Sequence, residues 1–203
     1  MRIASFLLTL GVAAGCERQQ PDKMSFFVTS VPLPQGGNLG GLAGADGHCQ
    51  QLAEMAGSRN RQWRAYLSAP ATGSQPAVNA RDRIGKGPWF NSRGIQIASS
   101  LDHLHGRSNA ISRATALPEN GKRLAFPHDI LTGSDEDGTL ADGDATCHGW
   151  TSIDGHAVIG HSDKQGQLGT GDSWNSAHLT DGCSVPLLQV RGGSARFYCF
   201  AID

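Results

Sequence analysis

Short apolar runs separated by turns rich in glycine, aspartate and serine dominate the chain. Runs of this length between turn residues are typical of β-strands. The pattern predicts strands or short extended segments at 25–30, 63–68, 88–90, 95–98, 128–131, 150–152, 157–161, 187–190 and 196–202.

One segment has helical periodicity instead, with apolar residues on one face at Ala45, Cys49, Leu52, Ala53 and Ala56. Gly57, just beyond it, is a helix-termination signal, and residues 78–84 predict a second, short helix. Residues 106–127 have no periodicity and are predicted to form a long loop. The sequence has no internal repeat and no interdomain linker. It therefore predicts one α+β domain with a loop-rich sheet in its C-terminal half.

The first fifteen residues have the features of an export signal. A positive charge precedes an apolar run too short to span a membrane, and small residues then lead to Cys16. This order resembles a bacterial lipobox, in which the cysteine is lipidated and becomes the mature N-terminus. We predict a lipoprotein signal peptide at 1–15, a tether at 16–23 and a domain at 24–203; secretion with cleavage nearby is the alternative. Glu17 favours outer-membrane sorting, on the periplasmic or the surface face of the cell envelope.

The charge composition limits the kinds of molecule that the chain is expected to bind. The chain has 17 basic and 18 acidic residues, so no basic excess is available to neutralise a nucleic-acid backbone. We expect no nucleic-acid partner, and we expect membrane attachment only through the N-terminal lipid.

Five cysteines are present, and four remain if Cys16 carries lipid: Cys49, Cys147, Cys183 and Cys199. An even number in an oxidising compartment predicts two disulfides, for which three pairings are possible. Free buried thiols are the alternative. A zinc site made of the four cysteines is disfavoured, because no pair has CxxC spacing.

Three stretches resemble endostatin-like domains. GGNLGGLAGADGHCQQLAEMAG followed by WRAYLSA is similar to their opening, and ILTGSDEDG…CHGW is similar to a later segment. The ending, with GC at 182–183 and FYCF at 197–200, is similar to their final cysteine pair. The opening SFFVTS…GGNLGGLAGAD also resembles that of bacterial lectin-like lipoproteins. The resemblance covers about residues 25–203 in order.

Endostatin-like domains have the C-type lectin-like fold, so the resemblance implies that fold with long loops. It also implies the nested disulfides Cys49–Cys199 and Cys147–Cys183. It is less specific for activity, because one fold carries many kinds of binding site.

The resemblance to calcium-dependent lectins implies a ligand site. Their acidic triplet corresponds to Asp135, Glu136 and Asp137, and their Trp-Asn-Asp triplet corresponds to Trp174, Asn175 and Ser176. Because Ser176 replaces a carboxylate, one calcium ligand of the family is missing. The expected ligand-binding residues are Asp135, Glu136, Asp137, Trp174 and Asn175.

A calcium ion in the acidic loop would be held by Asp135, Asp137, Asp142 and Asp144. The alternative is a solvated loop, since Asp-Gly pairs commonly form turns. Trp174 has two interpretations, as a stacking face for a sugar or as a core residue. Asn175 is either a ligand or an amide that stabilises its loop.

Eight histidines raise the question of zinc. His103 and His105 would point the same way on a strand, His156 and His161 flank a predicted strand, and His148 follows Cys147. No HExxH or close HxxxH pair is present. We expect exposed or hydrogen-bonded histidines, and a zinc site assembled from distant loops is the less favoured alternative.

No enzymatic activity is expected. The chain has no GxSxG elbow, P-loop or Rossmann fingerprint. Gly171-Asp172-Ser173 superficially resembles a protease motif but lacks the glycines that must follow. A hydrolase using Ser173 or His178 is the least favoured hypothesis.

The sequence therefore predicts an exported, lipid-anchored binding module, with carbohydrate as the expected ligand and calcium as a candidate cofactor. The alternative is a metal-independent module that binds an envelope or extracellular protein. The pattern does not identify the glycan, the protein partner or the oligomeric state.

Overall fold

The computed structural model describes residues 20–73, 75–123, 128–165 and 172–203. The predicted signal peptide and Cys16 lie outside these ranges. The strands are β1 (Phe26–Val28), β2 (Trp63–Ala65), β3 (Trp89–Phe90), β4 (Gln96–Ala98), β5 (Asp129–Leu131), β6 (Val158–His161), β7 (His178–Leu179) and β8 (Gly193–Ala201). The helices are α1 (Gly41–Met55), α2 (Leu101–His105), α3 (Cys147–Trp150) and α4 (Val185–Gln189), and a 3₁₀ turn spans Ala80–Arg83.

Strand β8 is the centre of the main sheet. Its C-terminal half pairs antiparallel with β1 on one side and β2 on the other, so that Phe27 and Ala65 both lie opposite Cys199. Its N-terminal half pairs in parallel with β5, where Leu131 lies opposite Phe197. Strands β6 and β7 extend the sheet beyond β5, while β3 and β4 form a separate pair.

From Phe197 to Ala201 both faces of β8 are buried, which explains why this half of the strand is almost entirely apolar and aromatic. Alternate residues face two different clusters, because side chains alternate along a strand. The first cluster lies under α1 and includes Phe27, Cys49, Leu52, Trp63, Phe197 and Cys199. The second includes Phe26, Tyr66, Trp89, Trp174, Tyr198 and Phe200.

Helix α1 confirms the predicted apolar face, since Ala45, Cys49, Leu52 and Ala53 are buried. The helix begins at Gly41, earlier than the apolar pattern indicates, after Gly40 in a left-handed conformation with φ 75°. Asp46 therefore lies inside the helix. Its carboxylate accepts hydrogen bonds from the Ala65 backbone N–H and from Arg83 Nη2, at 2.9 and 2.7 Å. These bonds tie α1 to β2 and to the 3₁₀ turn.

Two disulfides are present, Cys49–Cys199 and Cys147–Cys183. They join the pairs that the resemblance implies. The first ties α1 to the central strand, and the second ties α3 to the segment before α4.

Two predicted strands are wrong. Residue 150 ends a single left-handed turn, α3, in which Cys147, His148 and Trp150 have φ of 50°, 54° and 68°. Residues 151–152 follow this turn and form no strand. Residues 187–190 belong instead to α4 and its C-cap. The first turn of α4 contains Pro186, whose fixed φ favours the start of a helix. This preference outweighs the strand that the apolar run predicts.

Smaller differences concern the other loops and the tether. Residues 78–84 form only the short 3₁₀ turn, and α2 lies in a segment for which no helix is predicted. Within the predicted tether, residues 21–23 form a turn, and the Gln20 backbone N–H donates to the Ser92 carbonyl at 3.0 Å. In the described ranges, no helix has the length and apolar character required to cross a membrane.

Removing either disulfide is expected to destabilise the domain by an amount that increases with the logarithm of the loop length that it closes. The cysteines of the two bonds are separated by 150 and 36 residues. Chain entropy then predicts a loss of about 5 kcal/mol for the double variant Cys49→Ala/Cys199→Ala and about 4 kcal/mol for Cys147→Ala/Cys183→Ala. Urea unfolding of both variants and the parent measures these losses. A loss below about 1 kcal/mol in either variant would contradict the prediction.

Candidate functional site

A pocket of about 440 Å³ lies where α2, the segment after β5 and the loop before β7 meet. Its lining comes from four parts of the chain: residues 105–109, Glu136, Lys164 and residues 172–175. Three of the residues expected from the resemblance, Glu136, Trp174 and Asn175, therefore lie in one pocket.

Trp174 contributes to the floor of this pocket. Its side chain is 3% exposed and packs against Tyr66 and Tyr198, with ring centroids 4.8 and 5.2 Å away. The indole thus belongs to the second core cluster and offers little face to a ligand.

Asn175 joins the two segments that carry the expected ligand residues. Its side-chain Nδ2 donates to the backbone carbonyls of Asp135 and Glu136, at 2.9 and 3.2 Å, and to Tyr66 Oη at 3.0 Å. Its Oδ1 accepts a hydrogen bond from Ser173 Oγ at 2.9 Å. Because the amide is buried and fully used in these bonds, Asn175 positions the pocket instead of offering its amide to a ligand.

The hydrogen bonds around Tyr66 determine the tautomer of His105. His105 Nδ1 lies 2.9 Å from the Leu101 carbonyl, to which it can only donate. His105 Nε2 then accepts from Tyr66 Oη at 2.8 Å, and Tyr66 Oη accepts from Asn175. Burial lowers the pKa of His105 and raises the pKa of Tyr66 above its ordinary range, so both groups are neutral near pH 7.

Charged side chains of both signs line the rest of the pocket. Arg107 and Lys164 supply positive charge, and Glu136 and Asp172 supply negative charge. Lys164 Nζ donates to the Asn109 carbonyl at 2.8 Å, and burial lowers the pKa of Lys164. The lining is therefore polar and nearly balanced in charge.

The acidic loop adopts turn geometry. Asp137 Oδ1 accepts hydrogen bonds from the backbone N–H and the hydroxyl of Thr139, and these bonds lower the pKa of Asp137. Asp144 accepts a hydrogen bond from the His148 backbone N–H, and its carboxylate contacts Nδ1 of the His148 ring. Partial burial, followed by the neighbouring charges of Asp142 and Asp137, raises the pKa of Asp135.

These carboxylates do not converge on one point. In the described ranges, the one set of three or more potential metal ligands whose atoms lie within 4.8 Å of one another is His128, Asp129 and His161. Asp135, Asp137, Asp142 and Asp144 are exposed and form no such set. Calcium binding by the acidic loop stays a prediction.

The strand predicted for His103 and His105 is wrong, whereas His156 is hydrogen-bonded beside β6 as expected. His103 and His105 lie on helix α2 instead of a strand, because Ser100 caps a helix there by accepting a hydrogen bond from the His103 backbone N–H. His156 Nδ1 lies 2.9 Å from the Thr180 carbonyl. His161 is the last residue of β6 and is buried.

Ser173 and His178 are not arranged as a nucleophile and base. Ser173 Oγ donates to Asn175 Oδ1 and accepts from the Ser176 backbone N–H at 3.0 Å. His178 Nε2 instead lies 3.9 Å from Asp129 Oδ2. The described residues therefore give no support to the hydrolase hypothesis.

Sequence reasoning missed His105, Arg107, Asn109 and Lys164 as pocket residues. Three of them lie in or beside a predicted loop without periodicity, and Lys164 follows β6 in a turn. Their approach to residues 172–175 depends on tertiary packing, for which the spacing of residues carries no signal.

No protein-family model matches the chain, and no curated protein matches it.

The Asn175 network yields a stability prediction. Asn175→Asp keeps the shape of the side chain but places a carboxylate oxygen against two backbone carbonyls. We expect the free energy of unfolding to fall by about 2–4 kcal/mol, because buried acceptors lose their donor. Urea unfolding measures this change. Asn120→Asp is the matched control: the Asn120 side-chain oxygen accepts from the Lys122 backbone N–H, which aspartate can also do. Equal effects of the two substitutions would contradict the assigned role.

The neutral state of His105 yields a pH prediction. Burial lowers its pKa below the ordinary value of 6.5, so the unfolded chain takes up a proton more readily than the folded protein. Stability should therefore decrease as pH falls below about 6.5. The decrease between pH 7.5 and 5.5, measured by urea unfolding, should be smaller in His105→Gln than in the parent. An identical decrease in both proteins would argue against the assignment.

Proposed function

We propose that this chain is an exported, lipid-anchored, lectin-like binding module whose pocket binds a saccharide or a similar polyhydroxylated ligand. The observation that supports this proposal is the pocket at Glu136, Trp174 and Asn175. Its volume of about 440 Å³ is in the range of sites that bind small molecules.

The fold supports the lectin-like part of the proposal. Strands β1 and β8 lie side by side, and one disulfide encloses the other along the chain. Both features agree with the C-type lectin-like fold that the resemblance implies. An α+β sheet carrying long loops also suits a binding module, because loops on a rigid scaffold carry most binding residues.

The chemistry of the lining favours a neutral polar ligand. A sugar hydroxyl donates one hydrogen bond and accepts others, so the hydroxyls of one ligand can accept from the Arg107 guanidinium and donate to the Glu136 carboxylate. The balanced charges of the lining disfavour a polyanion or a polycation. The side chains of His105, Trp174 and Asn175 form a floor that the buried Tyr66 supports from below. This floor lowers the entropic cost of binding, because its side chains are already ordered.

We propose that this pocket acts without calcium. Its carboxylates are Glu136 and Asp172, and the remaining acidic residues of the loop lie outside its lining. A calcium site in the acidic loop would assist only by ordering the Asp135–Glu136 segment.

A glycan array probed with the purified chain, in calcium and again in EDTA, tests the proposal. We expect binding in both conditions. Arg107→Ala and Glu136→Gln should each weaken a positive interaction by at least about 10-fold, because each removes a charge-assisted hydrogen bond. Arg113→Ala and Asp154→Asn are matched controls at exposed positions outside the pocket and should leave binding unchanged.

The other outcomes are informative. Loss of binding in EDTA would contradict the calcium-independent mechanism and direct attention to the acidic loop. Binding that survives both pocket substitutions would exclude this pocket. If no glycan binds in either condition, the saccharide proposal fails and a module that binds an envelope or extracellular protein becomes the working hypothesis.

A further inference from the structure

Three histidines and a buried aspartate meet at one end of the main sheet. His128 directly precedes β5, Asp129 begins β5, His161 ends β6 and His178 begins β7. Asp129 and His161 are cross-strand partners, and His178 lies opposite Ile159. Because residues two apart on a strand share a face, the sheet register brings His161 and His178 to the same side. Pairing of three short strands thus creates the cluster.

The side chains converge on the Asp129 carboxylate. Oδ1 lies 3.3 Å from His128 Nε2 and 3.5 Å from His161 Nε2, and Oδ2 lies 3.9 Å from His178 Nε2. The His128 and His161 rings stack with centroids 4.5 Å apart, and the His178 ring meets the His161 ring edge-on at 5.1 Å.

Two of these three separations match those of ligand atoms around a tetrahedral metal ion, and the contact from His178 is longer. Zinc binds imidazole nitrogen and carboxylate oxygen at about 2.0–2.1 Å, which places any two ligands of a tetrahedron about 3.3 Å apart. The two shortest nitrogen–oxygen separations already have this value to within about 0.2 Å. A zinc ion would therefore fit with small movements of the side chains.

Hydrogen bonding leaves lone pairs facing one another in the cluster. His128 Nδ1 lies 3.0 Å from Asp163 Oδ1, and His178 Nδ1 lies 2.9 Å from the Leu179 carbonyl. In a neutral imidazole whose Nδ1 donates, Nε2 carries a lone pair and is an acceptor. When the imidazoles of His128 and His178 are neutral, their Nε2 lone pairs face the oxygens of Asp129, as ligand atoms around a shared metal ion do.

The carboxylate of Asp129 is buried without a hydrogen bond to one of its oxygens. The side chain is 3% exposed, yet Oδ1 accepts no hydrogen bond although two imidazole nitrogens approach it. A buried carboxylate oxygen without a partner is costly, and a cation among these acceptors would remove the cost. The contact between His128 and Asp163 is also the kind of outer hydrogen bond that orients a metal-binding histidine.

We propose that His128, Asp129, His161 and His178 bind one divalent transition-metal ion, with zinc as the preferred ion. Three imidazoles and one carboxylate form a donor set that suits zinc better than calcium or magnesium, which prefer oxygen ligands. The side chains of His128 and His178 are 38% and 29% exposed, so the ion has a route from solvent. These four residues do not line the saccharide pocket, although the His161 backbone is hydrogen-bonded to Ser173 and Lys164 of its lining. The proposed metal site does not depend on the proposed function.

Zinc binding to the purified full chain tests the inference. The protein carries no histidine tag, its disulfides are intact, its remaining thiol is alkylated, and it is first stripped with EDTA. Titration with zinc chloride against a fluorescent chelator should show one ion per chain. Replacement of zinc by Co²⁺ should give the visible absorption bands of a four-coordinate nitrogen–oxygen site.

Four variants locate the ion. Asp129→Asn and His161→Gln should weaken zinc binding by at least about 100-fold, since each removes a ligand. Asp163→Asn should weaken it by about 10–100-fold, because it removes the carboxylate that orients His128. The amide oxygen of the variant can still accept the hydrogen bond from the Gln165 backbone N–H. His48→Gln is the matched control, because it removes an imidazole on α1 and should bind zinc as the parent does.

Circular dichroism of each metal-free variant separates loss of ligands from loss of fold. Weakened binding by folded Asp129→Asn or folded Asp163→Asn supports the site. Should both ligand variants be unfolded, the Asp163→Asn result and the cobalt spectrum of the parent decide the question. The inference is overturned if the parent binds no zinc, if His48→Gln weakens binding as much as the ligand variants do, or if folded Asp129→Asn binds normally.

Discussion

A strand that is buried on both faces must pair its backbone polar groups with other strands, because no water reaches them. Strand β8 is under this constraint, and it takes β1, β2 and β5 as partners. Each partner strand places a further part of the chain beside the sheet. Strand β1 places the N-terminal segment, β2 places helix α1, and β5 places strands β6 and β7. The disulfide at Cys199 and both hydrophobic clusters are arranged around the same strand. The positions of the loops that form the pocket follow from this pairing.

The pocket combines loops that have little regular structure with a floor that is tightly organised. Tyr66 belongs to the segment after β2, and its hydroxyl links His105 of α2 to Asn175 of the loop before β7. Asn175 in turn holds the carbonyls of the Asp135–Glu136 segment. One buried chain of hydrogen bonds therefore sets the relative positions of three separate loops. Buried networks of this kind specify a unique arrangement when every member is satisfied.

Sequence reasoning succeeded where local pattern and tertiary structure agree. The apolar face of α1 and the strands at 26–28, 63–65 and 193–201 follow from periodicity and from aromatic and β-branched runs. It failed at 150–152 and 187–190, where a left-handed turn and a proline-initiated helix override short apolar runs. The pocket residues Glu136, Trp174 and Asn175 were predicted only through the resemblance. Between the two interpretations of Trp174 and of Asn175, the burial of these side chains in the structure decides. No pattern of residue spacing indicates the cluster that includes His128 and His178. Its members are up to 50 residues apart along the chain, and only the strand register brings them together.

The place of β8 in the chain has a consequence for how the protein is made. Every other strand of the main sheet precedes β8, so none of β1, β2 and β5 has its central partner until this segment has been synthesised. The contacts that β8 makes with β1 span about the whole domain, and such non-local pairing slows folding. Before β8 has been synthesised, the aromatic side chains of β1 and β2 lack the strand that covers them and can promote aggregation. Successful folding thus depends on the nascent chain being kept from premature association until β8 is available.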